Sequence, residues 1–337
     1  MEGITINYKL NDVYDPELPK SLNDFLNYLG TIRGKSSNTI AGYKFDLILF
    51  LKFLLLYKGL VPQGTDFENI KISKIGNDFI SSIKLPDLYA FISFTEHYRD
   101  NGTYARARKV AAIKSFFKYL TVKAKIIDEN PAAELESPKI DKRNPIYLTL
   151  EESKRLLRAI DGKNKERDYC MITLFLNCGL RLSELCSISI SKIKDDTLTI
   201  IGKGNKERTI YLNNACLNAI NEYLKVRKEN EEKIIDKDAL FISKNYRRIN
   251  KRSVEMIVKK YVNNAGLINE KYTPHKLRHT AATLMYKYGN VDIRSLQQIL
   301  GHENISTTQI YTHVDDEKLR EAVNLNPLNL NVEKMKK

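Results

Sequence analysis

The sequence predicts a mainly α protein of two domains, with one β-hairpin in the second domain. Apolar residues recur at helical spacing through most of the 337-residue chain. A chain of this length exceeds the usual size of one domain, and the stretch at 134–147, rich in proline and basic residues, is typical of a linker. The exception to the helical pattern is TLTIIGKGNKERTIYL, where two short β-branched runs flank a glycine-rich turn.

The first domain, at 19–133, contains four predicted helices. They are LPKSLNDFLNYLG, SSNTIAGYKFDLILFLKFLLLYKG, LPDLYAFISFTEHYRDNG and TYARARKVAAIKSFFKYLTVKAK. The second begins with capping residues and stops at Gly59. The fourth places Arg106, Lys109 and Lys123 among apolar residues, a pattern typical of a solvated face opposite a core. It would also suit a helix laid along DNA, although the pattern alone favours the solvated face.

The second domain begins with a capping box formed by Thr149 and Glu152. After the hairpin the pattern predicts further helices at 214–229, 250–264, 275–288, 292–300 and from 306 onward. A second capping box, Ser306 with Gln309, would place Tyr311 in the first turns of the last helix. The segment 319–337 carries an apolar stripe without an obvious partner in its own domain.

The charge of the chain points to a polyanionic partner. Lys and Arg number 55 against 41 Asp and Glu, a net charge of +14. Residues 1–140 carry only +3 of this, which leaves +11 for residues 141–337, most of which form the second domain. Composition alone would equally fit an ordinary basic protein.

The chain shows no sign of export or membrane insertion. Four cysteines form no CxxC pair and are interpreted as core residues of a protein in a reducing compartment. The N-terminus lacks the order of a signal peptide, and the longest apolar run is interrupted by Lys52. We therefore expect a soluble cytoplasmic protein that does not enter a membrane.

Four of the five histidines lie between positions 275 and 313, which raises the question of a metal site. His275 and His279 are four residues apart, as in HExxH, but the intervening residues include Lys276 and Arg278 and no glutamate. Cations in that gap would repel a divalent metal, so an anion fits better and no metal is predicted. The segment GTIRGKS resembles a P-loop, but its glycines are one residue too close and no strand precedes it.

Several cations would suit a phosphate in this second domain. Arg278 lies one helical turn from His275, and Arg181 lies at a helix end with Glu184 one turn further on. Lys203 lies in the glycine-rich turn of the hairpin. Each also has an ordinary explanation, because such residues commonly form surface salt bridges or aid solubility.

Taken together, these segments resemble one known family. GLRLSEL, GKGNKER, TPHKLRHTAAT and LGHENISTTQIYTHV resemble, in this order, the catalytic boxes of the tyrosine recombinases, with the closest likeness to Xer-type and related simple integrases. SNTIAGYKFDLILFLKFL and ARKVAAIKSFFKYL resemble the helical DNA-binding domain of the same family. Residues 1–18, an N-terminal extension, and about 59–86, which looks like an insertion, match poorly.

The resemblance implies a DNA strand-transfer site built from six catalytic positions: Arg181, Lys203, His275, Arg278, His302 and Tyr311. Tyr311 would attack a DNA phosphate and form a 3′-phosphotyrosyl link. Arg181 and Arg278 would hold the non-bridging oxygens and stabilise the transition state. Because this link conserves the bond energy, neither ATP nor a metal is expected as a cofactor.

The remaining residues would transfer protons, bind the phosphate or stabilise the cluster. Lys203 would protonate the departing 5′-oxygen, and His275 would assist proton transfer at the nucleophile. His302 would hydrogen-bond the phosphate, and Glu184 would steady the cluster. His279 and His313 also match the family pattern, but we interpret them as structural. A further set would contact DNA: Arg106, Lys109, Lys206 and Arg208.

The family fold implies a C-shaped clamp around double-stranded DNA, with a catalytic domain at 148–318. The family works as a tetramer, of identical or different subunits, on two DNA sites and through a Holliday junction. The tail at 319–337 would be passed to a neighbouring subunit. We therefore expect a site-specific recombinase with the Xer-type role of resolving chromosome dimers.

Three other functions are considered beside this one. The chain could be the integrase or excisionase of a mobile element. It could also be a DNA-binding protein that kept the fold and lost the reaction, although an intact catalytic set argues against this. A metal-dependent nuclease is the third, and sensitivity to EDTA would reveal it.

Overall fold

Most of the chain is helical, and one small sheet interrupts the helices. The structure is a computed structural model that describes residues 14–62, 64–139, 145–202, 207–229, 231–268, 272–289, 291–302 and 304–311. The prediction of a mainly α chain with a small β element is therefore confirmed. The chain divides into two compact units between Lys142 and Arg143, within the stretch at 134–147. The tail at 319–337 lies outside the described residues, and the finer domain boundaries stay predictions.

The first unit contains five α-helices among its described residues: α1 Lys20–Asn27, α2 Ser37–Tyr57, α3 Asn77–Ser81, α4 Leu85–His97 and α5 Thr103–Val122. A π-helical turn, Tyr28–Ile32, follows α1 directly. Ser36 caps α2 by accepting a hydrogen bond from the backbone N–H of Thr39. The helices α2, α4 and α5 pack on one another, and each supplies an aromatic side chain to the centre of the core.

Aromatic contacts hold this first core together. The ring of Phe50 on α2 meets Phe91 on α4 at 5.1 Å and Phe117 on α5 at 6.2 Å, both edge to face. This is the arrangement that aromatic pairs prefer. Ile80 and Ile83, from the segment at 59–86, are buried in the same core. The segment that resembles an insertion is thus part of the fold of this unit.

A buried ion pair lies inside the first unit. Asp46 and Lys109 are both almost fully buried, with Oδ1 and Nζ 3.2 Å apart, and Arg108 reaches the same oxygen at 3.0 Å. Arg106 pairs with Glu96 at 2.5 Å. The DNA contact of Lys109 stays a prediction, and the structure shows its ammonium enclosed and already paired with Asp46. Arg106 likewise has an internal partner.

The second unit is helical apart from its sheet. Its described elements are α6 Leu150–Arg158, α7 Lys165–Cys178, α8 Leu182–Cys186, β1 Ile193–Lys194, β2 Thr197–Ile201, β3 Glu207–Tyr211, α9 Asn214–Lys228, α10 Lys251–Asn264, α11 Pro274–Tyr288, α12 Ile293–Leu300 and α13 Ser306–Gln309. The strands pair antiparallel in the order β1, β2, β3. The predicted hairpin is confirmed as β2 and β3, with Ile200 opposite Arg208.

The two capping predictions have different outcomes. Thr149 and Glu152 form the predicted reciprocal capping box at the start of α6. The second prediction is wrong, since α13 begins at Ser306 and Ile305 is its N-cap, without a side-chain cap. Tyr311 lies in the turn just after this four-residue helix.

The helix α7 is the centre of the second unit. It is buried on nearly all sides and packs against α9 and α11. All four cysteines are buried and unpaired, as expected of core residues, and the sulfurs of Cys178 and Cys216 lie 3.7 Å apart. None of the described helices combines the length and the apolar character that crossing a bilayer requires.

The ion pair of the first unit yields a test of stability. Replacing Asp46 by Ala leaves the Lys109 ammonium buried without a counter-charge, which should lower the free energy of unfolding by about 3–5 kcal/mol. Urea titration of the full chain, with hydrogen exchange to assign the loss to the first unit, would measure it. Lys154→Ala, which removes an exposed pair with Glu151, should cost less than about 1 kcal/mol. An equal, small loss in both variants would contradict the assignment.

Candidate active site

One buried carboxylate gathers three arginines in the second unit. Glu184, on α8, is 2% exposed. Its Oε1 accepts a hydrogen bond from Nη1 of Arg181 at 2.7 Å, and its Oε2 accepts one from Nη2 of Arg208 at 3.0 Å. Nη1 of Arg278 lies 3.7 Å from Oε2. These residues come from α8 and its N-cap, from β3 and from α11, so the carboxylate joins three separate elements.

Backbone carbonyls hold the same arginines from the other side. Arg278 donates from Nη1 to the carbonyl of Gly179 at 2.7 Å and from Nη2 to that of Leu300 at 2.6 Å. Arg181 donates from Nη2 to the carbonyl of Gly301 at 2.6 Å. Carbonyls at helix C-termini carry partial negative charge and have no partner within the helix, which suits a cation. Arg181 and Arg278 are therefore fixed by the ends of α7 and α12.

Glycine is required where both helices end. Gly179 has φ +60° and Gly301 has φ +65°, the left-handed region that side chains with a Cβ disfavour. A Cβ on Gly179 would lie 2.8 Å from Leu300, and one on Gly301 would lie 2.9 Å from the Arg208 side chain. Both positions thus need the backbone freedom of glycine and its lack of a side chain.

The cluster has an excess of positive charge. Burial by itself would raise the pKa of Glu184, but Arg208 and Arg181 outweigh that effect and the pKa is lowered. Burial and the neighbouring Arg181 lower the pKa of Arg278 to about 10. Three guanidinium groups therefore share one carboxylate, which leaves two positive charges uncompensated within the cluster. Such a site favours an anion with several oxygens.

The hydroxyl of Tyr311 lies at the edge of this cluster. The side chain is 1% exposed and packs on Ala282, Leu296 and Leu300. Its hydroxyl is 2.7 Å from Nδ1 of His279. Burial raises the pKa of Tyr311 to about 12, although the charge of Arg278 acts in the opposite direction. The phenol is therefore protonated at neutral pH.

Two further histidines line the site. His275, on α11, is exposed, and its ring packs edge-on against His279 with the centroids 4.4 Å apart. Nδ1 of His302 is 2.9 Å from the hydroxyl of Thr308, which orients the ring. Burial, followed by the charges of Arg278 and Arg181, lowers the pKa of His302 to about 4. Both rings are thus neutral and able to accept or donate hydrogen bonds at neutral pH.

The structure brings together five of the six predicted catalytic residues, together with Glu184: Arg181, His275, Arg278, His302 and Tyr311. Lys203 and Lys206 lie outside the described residues, so their roles stay predictions. Among the described residues no group of three His, Cys, Asp or Glu side chains is arranged to hold a metal.

Two residues have partners that the sequence analysis does not anticipate. Arg208 was predicted to contact DNA, but it faces Glu184 and also donates to the carbonyl of Ile299. The alternation of residues along a strand could have indicated that Arg208 points inward, since it shares the inward face of β3 with Ile210. His279, which we interpret as structural from the sequence, is the residue that meets the Tyr311 hydroxyl. Its spacing of four from His275 already put it on the same helix face.

Comparison with protein families gives two matches. Residues 147–318 match the phage integrase family, and residues 22–124 match the N-terminal SAM-like domain of phage integrases. The chain is similar to tyrosine recombinase XerC of Caldanaerobacter subterraneus subsp. tengcongensis, with 59% identity over 92% of this chain and 87% of that relative. This identity does not favour the alternatives of a mobile element's integrase or a catalytically silent DNA-binding protein.

Solved structures share the fold. A XerH site-specific recombinase bound to a palindromic difH substrate, in a post-cleavage complex, matches with a TM-score of 0.65 and 21% identity over 95% of this chain and 99% of that chain. A lambda integrase tetramer bound to a Holliday junction matches with a TM-score of 0.62 and 18% identity, over 86% of this chain and 76% of that one. The family matches and the similarity to XerC agree with the arginine, histidine and tyrosine cluster, and the chain belongs to the phage integrase family as a tyrosine recombinase of Xer type, an enzyme of site-specific DNA recombination.

Proposed function

We propose that this recombinase cuts and rejoins DNA strands through Tyr311, which attacks a phosphate held by the arginine cluster. The observation that carries the proposal is the excess positive charge around Glu184, next to a buried tyrosine hydroxyl. A phosphodiester is an anion with two non-bridging oxygens, and planar guanidinium groups match such paired oxygens. A tyrosine beside them has the nucleophile that strand transfer requires.

Arg181 and Arg278 are suited to stabilise the transition state. Attack on phosphorus concentrates negative charge on the equatorial oxygens, and donors already in place stabilise that charge without reorganisation. Each guanidinium is held by a carbonyl on one side and by Glu184 on the other. Since a guanidinium has five N–H donors, these contacts leave further donors for a phosphate.

The remaining steps are proton transfers. The departing 5′-oxygen needs a proton, which we assign to Lys203, and the Tyr311 hydroxyl must lose one. We assign His275 to assist at the nucleophile and His302 to hydrogen-bond the phosphate, since its Nδ1 is oriented by Thr308. The phosphotyrosyl link conserves the energy of the broken bond, so strand joining is the reversal of cleavage.

We further propose that four subunits, identical or of two kinds, act on two double-stranded DNA sites through a Holliday junction. The +14 charge of the chain and the similarity to XerC support DNA binding and a role in resolving chromosome dimers. The fold shared with a lambda integrase tetramer supports assembly into multimers. A role in resolving chromosome dimers also implies that the protein acts in the cytoplasm, where the chromosome is.

Covalent capture tests the nucleophile. The protein is mixed in EDTA with sheared, nicked DNA from its source genome, and the strands that remain attached after denaturation are sequenced. We expect attachment at one recurring site, lost in Tyr311→Phe while DNA affinity stays within about twofold, because only the attacking oxygen is removed. Tyr211→Phe, at an exposed position on β3, is the matched control and should attach normally. Attachment by Tyr311→Phe would refute the proposed mechanism.

A second prediction concerns the shared carboxylate. Glu184→Gln keeps the shape of the side chain but removes the only negative charge that pairs with the three arginines among the described residues. Their mutual repulsion should lower the free energy of unfolding by about 3–5 kcal/mol and slow cleavage of a captured site by about 100-fold or more. Urea titration and single-turnover cleavage would measure these effects. Glu222→Gln, at an exposed pair with Lys225, should change neither; equal behaviour of the two variants would contradict the role of Glu184.

The pH dependence of stability follows from the buried histidines. Burial lowers the pKa of His279 to about 3 and that of His302 to about 4 in the folded protein, whereas in the unfolded chain they bind protons near about 6.5. The unfolded state therefore gains protons as pH falls, and stability falls with it. Between pH 7 and 5 we expect a loss of about 1 kcal/mol per histidine after allowance for solvent screening.

Urea titrations at the two pH values would measure that loss. His302→Gln should flatten the pH dependence, because it removes one of the two groups that bind protons only after unfolding. An unchanged or steeper dependence in His302→Gln would contradict the assignment.

A further inference from the structure

The strongest feature that the family resemblance does not explain is the contact between His279 and Tyr311. Nδ1 of His279 is 2.7 Å from the Tyr311 hydroxyl. Among the described residues, Nδ1 of His279 is the only hydrogen-bond partner that the structure gives that hydroxyl, and the ring packs on the apolar side chains of Ala282, Leu296 and Leu300. We propose that His279 is a catalytic residue whose Nδ1 accepts the proton of Tyr311 as the phenolic oxygen attacks the DNA phosphate. This inference rests on the proposed function, in which Tyr311 is the nucleophile.

The direction of the hydrogen bond favours this role. Burial raises the pKa of Tyr311 to about 12, so the phenol holds its proton and can donate. Burial, together with nearby positive charge, lowers the pKa of His279 to about 3, so its ring is neutral and one nitrogen is an acceptor. With the hydroxyl donating to Nδ1, the ring carries its own proton on Nε2. The proton that must leave Tyr311 therefore already points at a base.

The position of His279 on α11 links it to the phosphate site. It directly follows Arg278, whose guanidinium belongs to the arginine cluster. Its ring packs edge-on against that of His275, with the centroids 4.4 Å apart. His275 is exposed, whereas His279 is half-buried between it and Tyr311, with the centroids of the last two rings 5.6 Å apart. His279 thus meets the nucleophile directly, and His275 is one ring further away.

The proposed step exchanges one bond at phosphorus for another and moves two protons. A bond forms between the Tyr311 oxygen and phosphorus, and the bond between phosphorus and the 5′-oxygen breaks. The proton of Tyr311 passes to Nδ1 of His279, which becomes an imidazolium, and the 5′-oxygen takes a proton from Lys203. On strand joining the same groups act in reverse, so His279 returns the proton to Tyr311.

Binding of the DNA phosphate would make His279 a better base. In the absence of DNA its pKa is lowered by burial first, and then by the neighbouring groups His275, Lys276, Arg278 and His302. His275, Lys276 and Arg278 belong to α11 itself, and His302 lies two residues after the end of α12. The fifth neighbour, Tyr311, is neutral. A phosphate placed against Arg278 offsets part of this positive charge, which favours the protonated imidazole. The base would then gain strength when the substrate is in place.

An ordinary structural role is the rival explanation. A buried phenol needs a hydrogen-bond partner, and His279 would supply one even without any part in catalysis. Asparagine separates the two roles, because its side-chain amide lies near the place of Nδ1 and offers a hydrogen-bond acceptor but takes no proton at neutral pH. Alanine removes the hydrogen bond and the base together.

The experiment is single-turnover cleavage of a nicked duplex that carries the captured site, with the proteins at saturating concentration. For both His279→Asn and His279→Ala we expect the rate to fall by about 100-fold or more, the usual effect of losing a general base, with DNA affinity within about twofold. In His279→Asn the rate should rise about tenfold per pH unit from pH 6 to 9, because hydroxide must then ionise Tyr311. The unsubstituted protein should instead reach a plateau.

Failure of the role of His279 and failure of the proposed function of Tyr311 would give different results in this experiment. If His279→Asn cleaves as fast as the unsubstituted protein, His279 only positions Tyr311 or has no role, and the inference is overturned. If the unsubstituted protein forms no covalent link, or Tyr311→Phe still does, the proposed function itself fails. His302→Gln should keep the plateau in its pH profile, which distinguishes loss of this base from general damage to the site.

A second measurement applies if the His279 variants do not fold. The His279 ring in the unsubstituted protein can be followed by nitrogen-15 NMR, with and without a duplex of the captured site in which a methylene group replaces the 5′-oxygen that would leave. This duplex keeps both charged non-bridging oxygens at the scissile phosphorus but cannot be cleaved. A rise in the pKa of His279 of two units or more on DNA binding supports the inference. An unchanged pKa overturns it, because the base would then remain too weak to take the proton.

Discussion

The sharing of one buried carboxylate by three arginines is the interaction on which the catalytic unit depends. Glu184 contacts Arg181 and Arg208 directly and lies close to Arg278. Like charges would otherwise drive these residues apart, and with them α8, β3 and α11. A single counter-charge is enough to hold the cluster but too little to neutralise it. The positive charge that remains is what makes the site attractive to a phosphate.

The rest of the unit serves to place that cluster. The buried helix α7 ends at Gly179 and α12 ends at Gly301, so two helix C-termini point their carbonyls at the arginines. The orientation of each guanidinium therefore comes from the backbone as much as from other side chains. Tyr311 lies against α11 and α12, so the position of the proposed nucleophile depends on the helix that carries Arg278 and on the helix that ends at Gly301.

Much of this architecture could be predicted from the sequence, and the failures have physical causes. Helical periodicity located the helices because burial of one face sets their spacing, and the hairpin followed from β-branched runs around glycines. Lys109 on α5 was placed among possible DNA contacts because periodicity cannot reveal that Asp46, 63 residues earlier in the chain, lies opposite it. The contacts of Arg208 and His279 were not predicted for a similar reason, since their partners come from other elements. Long-range pairing of polar groups depends on the packed fold, which local pattern does not encode.

The glycines that end α7 and α12 affect how a mutational screen of this enzyme would be interpreted. Gly179 and Gly301 bear no functional group, yet a Cβ at either would strain the backbone and collide with Leu300 or with Arg208. Any substitution there displaces a carbonyl that holds an arginine, so the variant would fold nearly correctly and still fail in recombination. In a saturation screen scored by recombination, these positions would be as intolerant as Tyr311 itself. A count of intolerant positions would therefore exceed the number of side chains that take part in the chemistry. The reason is that main-chain carbonyls hold the arginines in place.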